Sequence, residues 1–270
     1  MVDRLAVLLD RFRITADVDA GPGEVGTHDD GALWLVAAGS LHMAAPSPPM
    51  AGPGLLLAPQ RALADGVIAG PGARVLAARL RFEGGADNPL VRALPTVLWL
   101  PADAVPGSAG LFALLFEEAF DGRCGRTVLL DRLIEALLVQ VLRQQMESGD
   151  LRGGLLAGMA HLRLRRALVA LHEAPARDWT LASLAQAAGM SRSAFAQSFR
   201  EALGQTPGQY LQDWRIALAQ RALRRGRPLK VIADEVGYGS EAALSRAFKA
   251  RSGLSPRAWR QTMGLRDAAA

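Results

Sequence analysis

Two stretches of this chain are near-duplicates of each other. Residues 181–207 read LASLAQAAGMSRSAFAQSFREALGQTP, and residues 229–256 read LKVIADEVGYGSEAALSRAFKARSGLSP. Leu181/Leu229, Leu184/Ile232, Ala185/Ala233 and Gly189/Gly237 pair at an offset of 48. From there Ser191/Ser240, Phe195/Leu244, Phe199/Phe248, Arg200/Lys249, Gly204/Gly253 and Pro207/Pro256 pair at 49. Any fold for this chain must hold one helical unit twice, with a turn one residue longer in the second copy.

In the first copy Leu181, Leu184, Ala185 and Ala188 share a helical face. Gly189 follows where the chain must turn sharply, because glycine alone enters positive φ cheaply. Ser191 is a natural N-cap for the next helix. Within that helix Phe195 and Phe199, four apart, anchor it to the helix before. Helix, tight turn and second helix with an inward aromatic pair make a helix-turn-helix. The outer face left to the second helix is Arg192, Ser193, Ala196, Gln197 and Arg200, short polar or basic groups suited to a DNA major groove.

The second copy repeats the logic: Ile232, Ala233 and Val236 pack, Gly237 turns, Ser240 caps, and Leu244 and Phe248 anchor. Glu241, Ala242, Ser245, Arg246 and Lys249 face outward. Arg246 has the reach for a bidentate contact to guanine, while Glu241 either accepts from a cytosine amino group or orients a neighbouring arginine. Between the copies runs TPGQYLQDWRIALAQRALRRGRPL, in which Tyr210, Leu211, Trp214, Ile216, Leu218, Ala219 and Leu223 suit a buried connecting helix. From about Pro207 to Arg225 such a helix spans roughly 28 Å. Successive major-groove turns on one face of DNA lie about 34 Å apart. One chain can therefore present two recognition helices to adjacent turns of one duplex. A single such signature is often a plain αα-hairpin, and Arg224 and Arg225 read equally as phosphate contacts or as a solvated helix end. Two copies in register on a basic segment favour DNA.

The charge distribution agrees. Leu155–Ala270 carries 18 Arg and Lys against 8 Asp and Glu, whereas Met1–Gly154 carries 13 against 18. An acidic front half joined to a basic back half assigns the polyanion to the back half alone.

The front half has a different texture. GALWLVAAG, SLHMAAP, GPGLLLAP, GVIAGPGARVLAARLRF and TVLWLP are short apolar runs punctuated by glycine and proline, which read as strands of a small β-sandwich or barrel. In RVLAARLRF, Val75, Ala77, Arg79 and Arg81 point one way and Leu76, Ala78, Leu80 and Phe82 the other. After Pro106 helical spacing takes over. Leu130, Leu133, Ile134, Leu137, Leu138, Val141 and Leu142 form a broad stripe, a dimerisation surface, a cover for the β-domain itself, or both. Gly31–Gln60 holds no charged residue, but Pro46, Pro48, Pro49, Pro53 and Pro59 exclude a membrane helix. With one cysteine there is no disulfide framework, and the start MVDRLAVLLDRFR lacks a signal-peptide apolar core. The expectation is a soluble, cytoplasmic α+β protein of two domains: a β-barrel or sandwich with flanking helices over residues 1–150, a glycine-rich linker at 151–160, and an all-α domain over 161–265 with helix-turn-helix units at about 181–201 and 229–250.

At these residues the chain resembles the AraC/XylS family of bacterial transcription regulators. VIADEVGYGSEAALSRAFKARSGLSPRAWR (231–260) looks like that family's C-terminal signature, and WTLASLAQAAGMSRSAFAQSFREALGQTPGQYLQDWRIALAQRAL (179–223) is similar to its first unit and connecting helix. The resemblance implies sequence-specific binding of promoter or operator DNA through both second helices. Matched position by position, base reading falls on Ser193, Ala196 and Gln197 and on Glu241, Ala242, Ser245 and Arg246, with Ser193 and Ala196 smaller than many relatives carry. It also implies a regulator, activator or repressor, that works with RNA polymerase as a homodimer, away from membranes and without a cofactor. More weakly, GALWLVAAGSLHMAAPSPPMAGPGLLLAPQRALADGV (31–67) resembles the family's cupin-type sensor domain, which implies a small organic effector. Where relatives often place a histidine after the proline, this chain has PQRALA, ending at Ala64.

Two other readings stand beside this one. One is a ligand-independent regulator whose front half only dimerises; Trp34, Met43, Trp99 and Arg79 are as readily core or surface as effector-cavity residues. The other is a metal-dependent cupin enzyme fused to a DNA-binding domain. That enzyme needs several imidazoles and a carboxylate on one ion, and the front half offers His28, His42 and Glu24. A metal site is not expected. GPGEVG (21–26) carries no lysine and precedes no helix, so it is no phosphate loop. Cys124 in DGRCGR is either a redox or alkylation sensor or an ordinary loop thiol.

Overall fold

A computed structural model of the chain describes residues 3–18, 31–43, 49–60, 67–121, 123–149 and 153–267. The chain divides into two compact units, Arg13–Asp150 and Met1–Phe12 together with Leu151–Ala270.

Among the described residues the Arg13–Asp150 unit holds two antiparallel sheets. Strands β1 (Ile14–Val18), β2 (Gly31–Ala38), β5 (Gly54–Ala58), β7 (Arg74–Phe82) and β8 (Leu98–Pro101) form the larger, in the order β1-β7-β2-β5-β8. The smaller is β4-β3-β6, from β3 (Ser40–Met43), β4 (Met50–Ala51) and β6 (Val67–Ala69). Trp34, Val36, Leu56, Ala58 and Ala77 of the large sheet cluster with Leu41 of the small one. On the opposite face Leu33, Leu35, Leu55 and Leu57 are equally buried. Burial on both faces explains why β2 and β5 read as unbroken apolar runs rather than alternating ones. In β7 the set Leu76, Ala78, Leu80 and Phe82 is buried on one face, Ala77 is buried on the other where it faces the small sheet, and Arg81 is exposed.

Helix α2 (Pro89–Ala93) leads toward β8, and the long hairpin α3 (Ser108–Asp121) and α4 (Arg126–Glu147) closes the unit. Helix α4 packs on β1 and α3. Its stripe is covered from within the chain: Leu130, Ile134, Leu137, Leu138, Val141 and Leu142 are buried and Leu133 half-buried. Covering the β-domain is one of the two uses expected for that stripe, and it serves that one. Phe120, Val128 and Leu129, at the tip of the hairpin, are the exposed apolar groups there.

The second unit is all helical: α1 (Arg4–Arg11), α5 (Leu155–Ala160), α6 (Leu164–Glu173), α7 (Leu181–Ala188), α8 (Arg192–Leu203), α9 (Pro207–Arg224), α10 (Leu229–Val236), α11 (Glu241–Ser252) and α12 (Pro256–Asp267). Two boundaries differ from those expected. The front domain starts at Arg13, because α1 packs on α6 of the other unit. Asp3 caps α1 through the backbone N–H groups of Leu5 and Ala6. Leu5, Leu8 and Phe12 are buried along one side. Arg4 donates to the Met159 carbonyl at 2.8 Å, and Arg11 to that of Glu173 at 3.3 Å. The spacer expected at 151–160 is helical from Leu155. Leu155, Leu156 and Met159 are buried there, and the Gly154 N–H bonds the Ala202 carbonyl at the end of α8, at 2.9 Å.

Candidate nucleic-acid interface

Each repeated stretch folds into two helices around a glycine turn. Helix α7 starts with a capping box in which Thr180 and Ser183 satisfy each other's backbone N–H groups. It ends at Gly189 with φ of 65°. Leu184, Ala185 and Ala188 are buried, whereas Leu181 in the first turn is exposed. Ser191 caps α8 by accepting from Ala194 N at 3.3 Å, and Phe195 and Phe199 fill the angle between the helices with ring centroids 5.4 Å apart. In the second copy α10 ends at Gly237 with φ of 83°, and Ser240 caps α11 through Ala243 N at 3.2 Å. Leu244 and Phe248 are buried as the anchors. The additional turn residue lies within Tyr238–Gly239, between the glycine and the serine cap.

The outer faces are open. Arg192, Ser193, Gln197 and Arg200 are exposed on α8 and Ala196 is half-exposed; on α11 Glu241, Ala242, Arg246 and Lys249 are exposed and Ser245 half-exposed. Gln197 donates to Glu201, one turn on, at 2.9 Å. Arg192, Arg200, Arg246 and Lys249 make no side-chain hydrogen bond or ion pair among the described residues.

The structural arginines of the same unit behave differently. Arg227 forms a two-bond pair with Glu235 at 2.6 and 2.7 Å, Arg251 of α11 pairs with Asp213 of α9, and Arg224 lies over the Trp259 ring at 4.7 Å. Arg224 is thus seated on an aromatic face rather than at a free helix end.

Helix α9 is the spine that carries both pairs. Its seven expected inward residues, Tyr210 through Leu223, are all buried. At 18 residues it is about 27 Å long. Behind it lies an aromatic stack that composition and spacing did not reveal. His172 of α6 stacks on Trp214 at 3.9 Å, its Nε2 and the Tyr210 hydroxyl share a hydrogen bond of 2.6 Å, and Phe12 meets Trp214 edge-on at 5.3 Å. Burial, and then the Arg11 charge, hold the His172 pKa down to about 3, while burial pushes that of Tyr210 up. Both groups are neutral at physiological pH.

In the β-unit the four residues considered for an effector cavity have distinct places. Trp34 fills the core between the sheets, and Trp99 packs half-buried against it. Met43 is half-buried at the end of β3, and Arg79 pairs with Asp17 of β1 at 3.4 Å. His42 is exposed and bonded to Ser40 Oγ at 3.0 Å. His28, Glu24, the GPGEVG stretch and Ala64 fall outside the described residues. Among the described residues no three metal-ligating groups converge, and no helix is long and apolar enough to cross a membrane. Cys124 is exposed, and its neighbour Arg123 is engaged by Glu117, Glu118 and Asp121 at 2.8, 3.2 and 2.9 Å.

Comparison with known proteins gives two family matches. A family described as "Helix-turn-helix domain" matches residues 184–262, the span from α7 into α12, and one described as "Cupin" matches residues 13–147, almost the whole β-unit. A putative AraC-like transcription regulator of Streptomyces antibioticus is 41% identical over 184 residues, 67% of this chain and 61% of that protein. The chain belongs to the AraC/XylS family. Another relative, the HTH-type transcriptional regulator AlkR of Acinetobacter baylyi, is 33% identical over 192 residues, 69% of this chain and 63% of AlkR. The chain thus spans about 60% of the length of these curated AraC-type relatives. Among solved structures, the DNA-binding domain of AdpA in complex with a target DNA is 30% identical, over 38% of this chain and 95% of that one, with a TM-score of 0.37.

Proposed function

We propose that this chain is a sequence-specific DNA-binding transcription regulator, and not an enzyme, in which α8 and α11 read adjacent major-groove segments of one duplex. The observation that carries this reading is the pair of repeated outer faces, on which exposed cations stand unengaged. Arg215, Arg227 and Arg251 are tied into the framework of the helical unit, whereas Arg192, Arg200, Arg246 and Lys249 stand on the two repeated outer faces with no partner among the described residues. Phosphate contacts from such groups set register and affinity, and the side chains at the groove floor set sequence. Arg246 is the best placed for a bidentate guanine contact. Gln197 suits adenine, once it leaves Glu201. The partners proposed are promoter or operator DNA, RNA polymerase and a second copy of the chain. The cupin unit is proposed to take a small organic effector. The AraC-like names of the relatives support this reading.

Selection of bound duplexes from a random-sequence pool, followed by titration, tests the proposal. Arg246→Ala is expected to weaken binding to the selected duplex by about 1–3 kcal/mol and to relax preference at one base pair. An unchanged ratio of specific to nonspecific affinity removes Arg246 from the reading set. A shift in melting temperature on adding one member of a metabolite panel supports the effector role.

A further inference from the structure

The two helix-turn-helix units do more than share α9; they touch, and one side chain bonds both sides of the seam. Arg215 lies near the middle of α9. Its Nε donates to the Pro175 carbonyl at 2.8 Å and its Nη2 to that of Arg177 at 3.1 Å. Both acceptors belong to the loop that enters the first unit through α7. Its Nη1 donates to the carbonyl of Gly237, the turn glycine of the second unit, at 3.0 Å. The Tyr238 ring lies 5.7 Å from the same guanidinium. Gly237 shows how close the two sides come. A Cβ there would meet Ala176 Cα at 2.6 Å and its carbonyl oxygen at 2.8 Å, so the entering loop rests directly on the second turn.

The chemistry requires arginine. Three diverging carbonyls are met by three nitrogens of one planar fork, whereas a lysine ammonium is a compact point on a flexible stem. The seam adds a direct link between the units to the one they share through α9, and without it the second unit is freer to swing. Swing matters for a double reader, because linking two binding modules raises affinity only when geometry lets both engage together. One inserted base pair rotates the second target by about 34° and moves it by about 3.4 Å.

We propose that Arg215 is a positioning residue: by tying the turn of the second helix-turn-helix to the loop entering the first, it fixes α11 relative to α8 and sets how strictly the protein measures the spacing between its two half-sites. This rests on the two-helix reading above.

The test uses the full chain and the duplex selected as above. It is compared with versions carrying one added or one deleted base pair between half-sites, and with a version whose second half-site is scrambled. The wild type is expected to bind the respaced duplexes at least about 10-fold more weakly than the selected one. Arg215→Lys and Arg215→Ala are expected to reduce that penalty to about 3-fold or less, while binding the duplex with only the first half-site as the wild type does. Gly237→Ala, which wedges the same seam open, is expected to relax spacing in the same direction.

Retention of the full spacing penalty by both Arg215 variants overturns the positioning role. So does loss of binding to the single half-site, which marks a general structural role. If the wild type already binds the scrambled duplex as tightly as the intact one, the two-helix reading itself fails, and that appears before any variant is made.

Discussion

Phe12→Ala should destabilise the helical unit and leave the β-unit alone, although Phe12 is next in sequence to the first residue of the β-unit. Phe12 is 2% exposed, with its ring edge-on to Trp214 at 5.3 Å. Truncation at such a site costs about 3–5 kcal/mol, of which the aromatic pair supplies roughly 0.5–1.5. That is a large share of a typical domain stability of about 5–15 kcal/mol. For a unit of this size the midpoint should fall by roughly 10–15 °C. Calorimetry of the full chain with and without the selected duplex identifies the transition of the DNA-binding unit, since ligand raises only the unit that binds it. Phe12→Ala should lower the DNA-protected transition alone. Val18→Ala, at a buried position of β1, should lower only the other one. If Phe12→Ala moves the unprotected transition and spares the protected one, α1 is not part of the DNA-binding core.

Two further outcomes follow from the same unit. Burial holds the folded His172 pKa down to about 3 against 6.5 for the free side chain, so the unfolded state binds the additional proton between those values. Stability from this group is therefore complete above about pH 6.5 and falls as acid is added, by about 2 kcal/mol between pH 7 and pH 5. Denaturant titrations at the two pH values should show this loss in the wild type and not in His172→Phe; equal losses in both would remove His172 as the cause. Ser191→Ala and Ser240→Ala should each cost about 1 kcal/mol through loss of an N-cap, and the double variant should cost their sum because the caps share no partner. Urea midpoints at constant slope measure this, and a cost at only one site would mean that the two turns are not equivalent.

Much of the helical unit was legible because its signals are local. A glycine that must turn, a serine that must cap and two apolar groups four apart specify each helix pair within about twenty residues. The inward face of α9 was readable residue by residue from its 3.6-residue period. The outward positions followed by subtraction, and all are exposed or half-exposed. Most strands were visible from their length and punctuation, and β7 from its alternation, whereas β1 and the two-residue β4 lay outside the runs read as strands. Helix α5 was hidden, since LLAGMA after a glycine run looks like spacer until Leu155, Leu156 and Met159 find their burial. Nothing near His172 or Arg215 announces a role, because their partners lie 38 residues away at Tyr210 and 40 and 22 away at Pro175 and Gly237.

By itself the amino-acid order determined the helix pairs of the two repeated units, where their helices begin and stop, and which side of each is apolar, since all of these depend on neighbours a few residues apart. Partner choice belonged to the tertiary structure alone. Leu5, Leu8 and Phe12 form an apolar edge that any hydrophobic surface satisfies; only the assembled fold seats Phe12 against Trp214 and assigns the first helix to the helical unit. The same holds for the stripe on α4 and for the three carbonyls gathered by Arg215. Apolar burial is non-directional and the chain between partners is long, so periodicity says that a face must be covered, and only packing in three dimensions says by what.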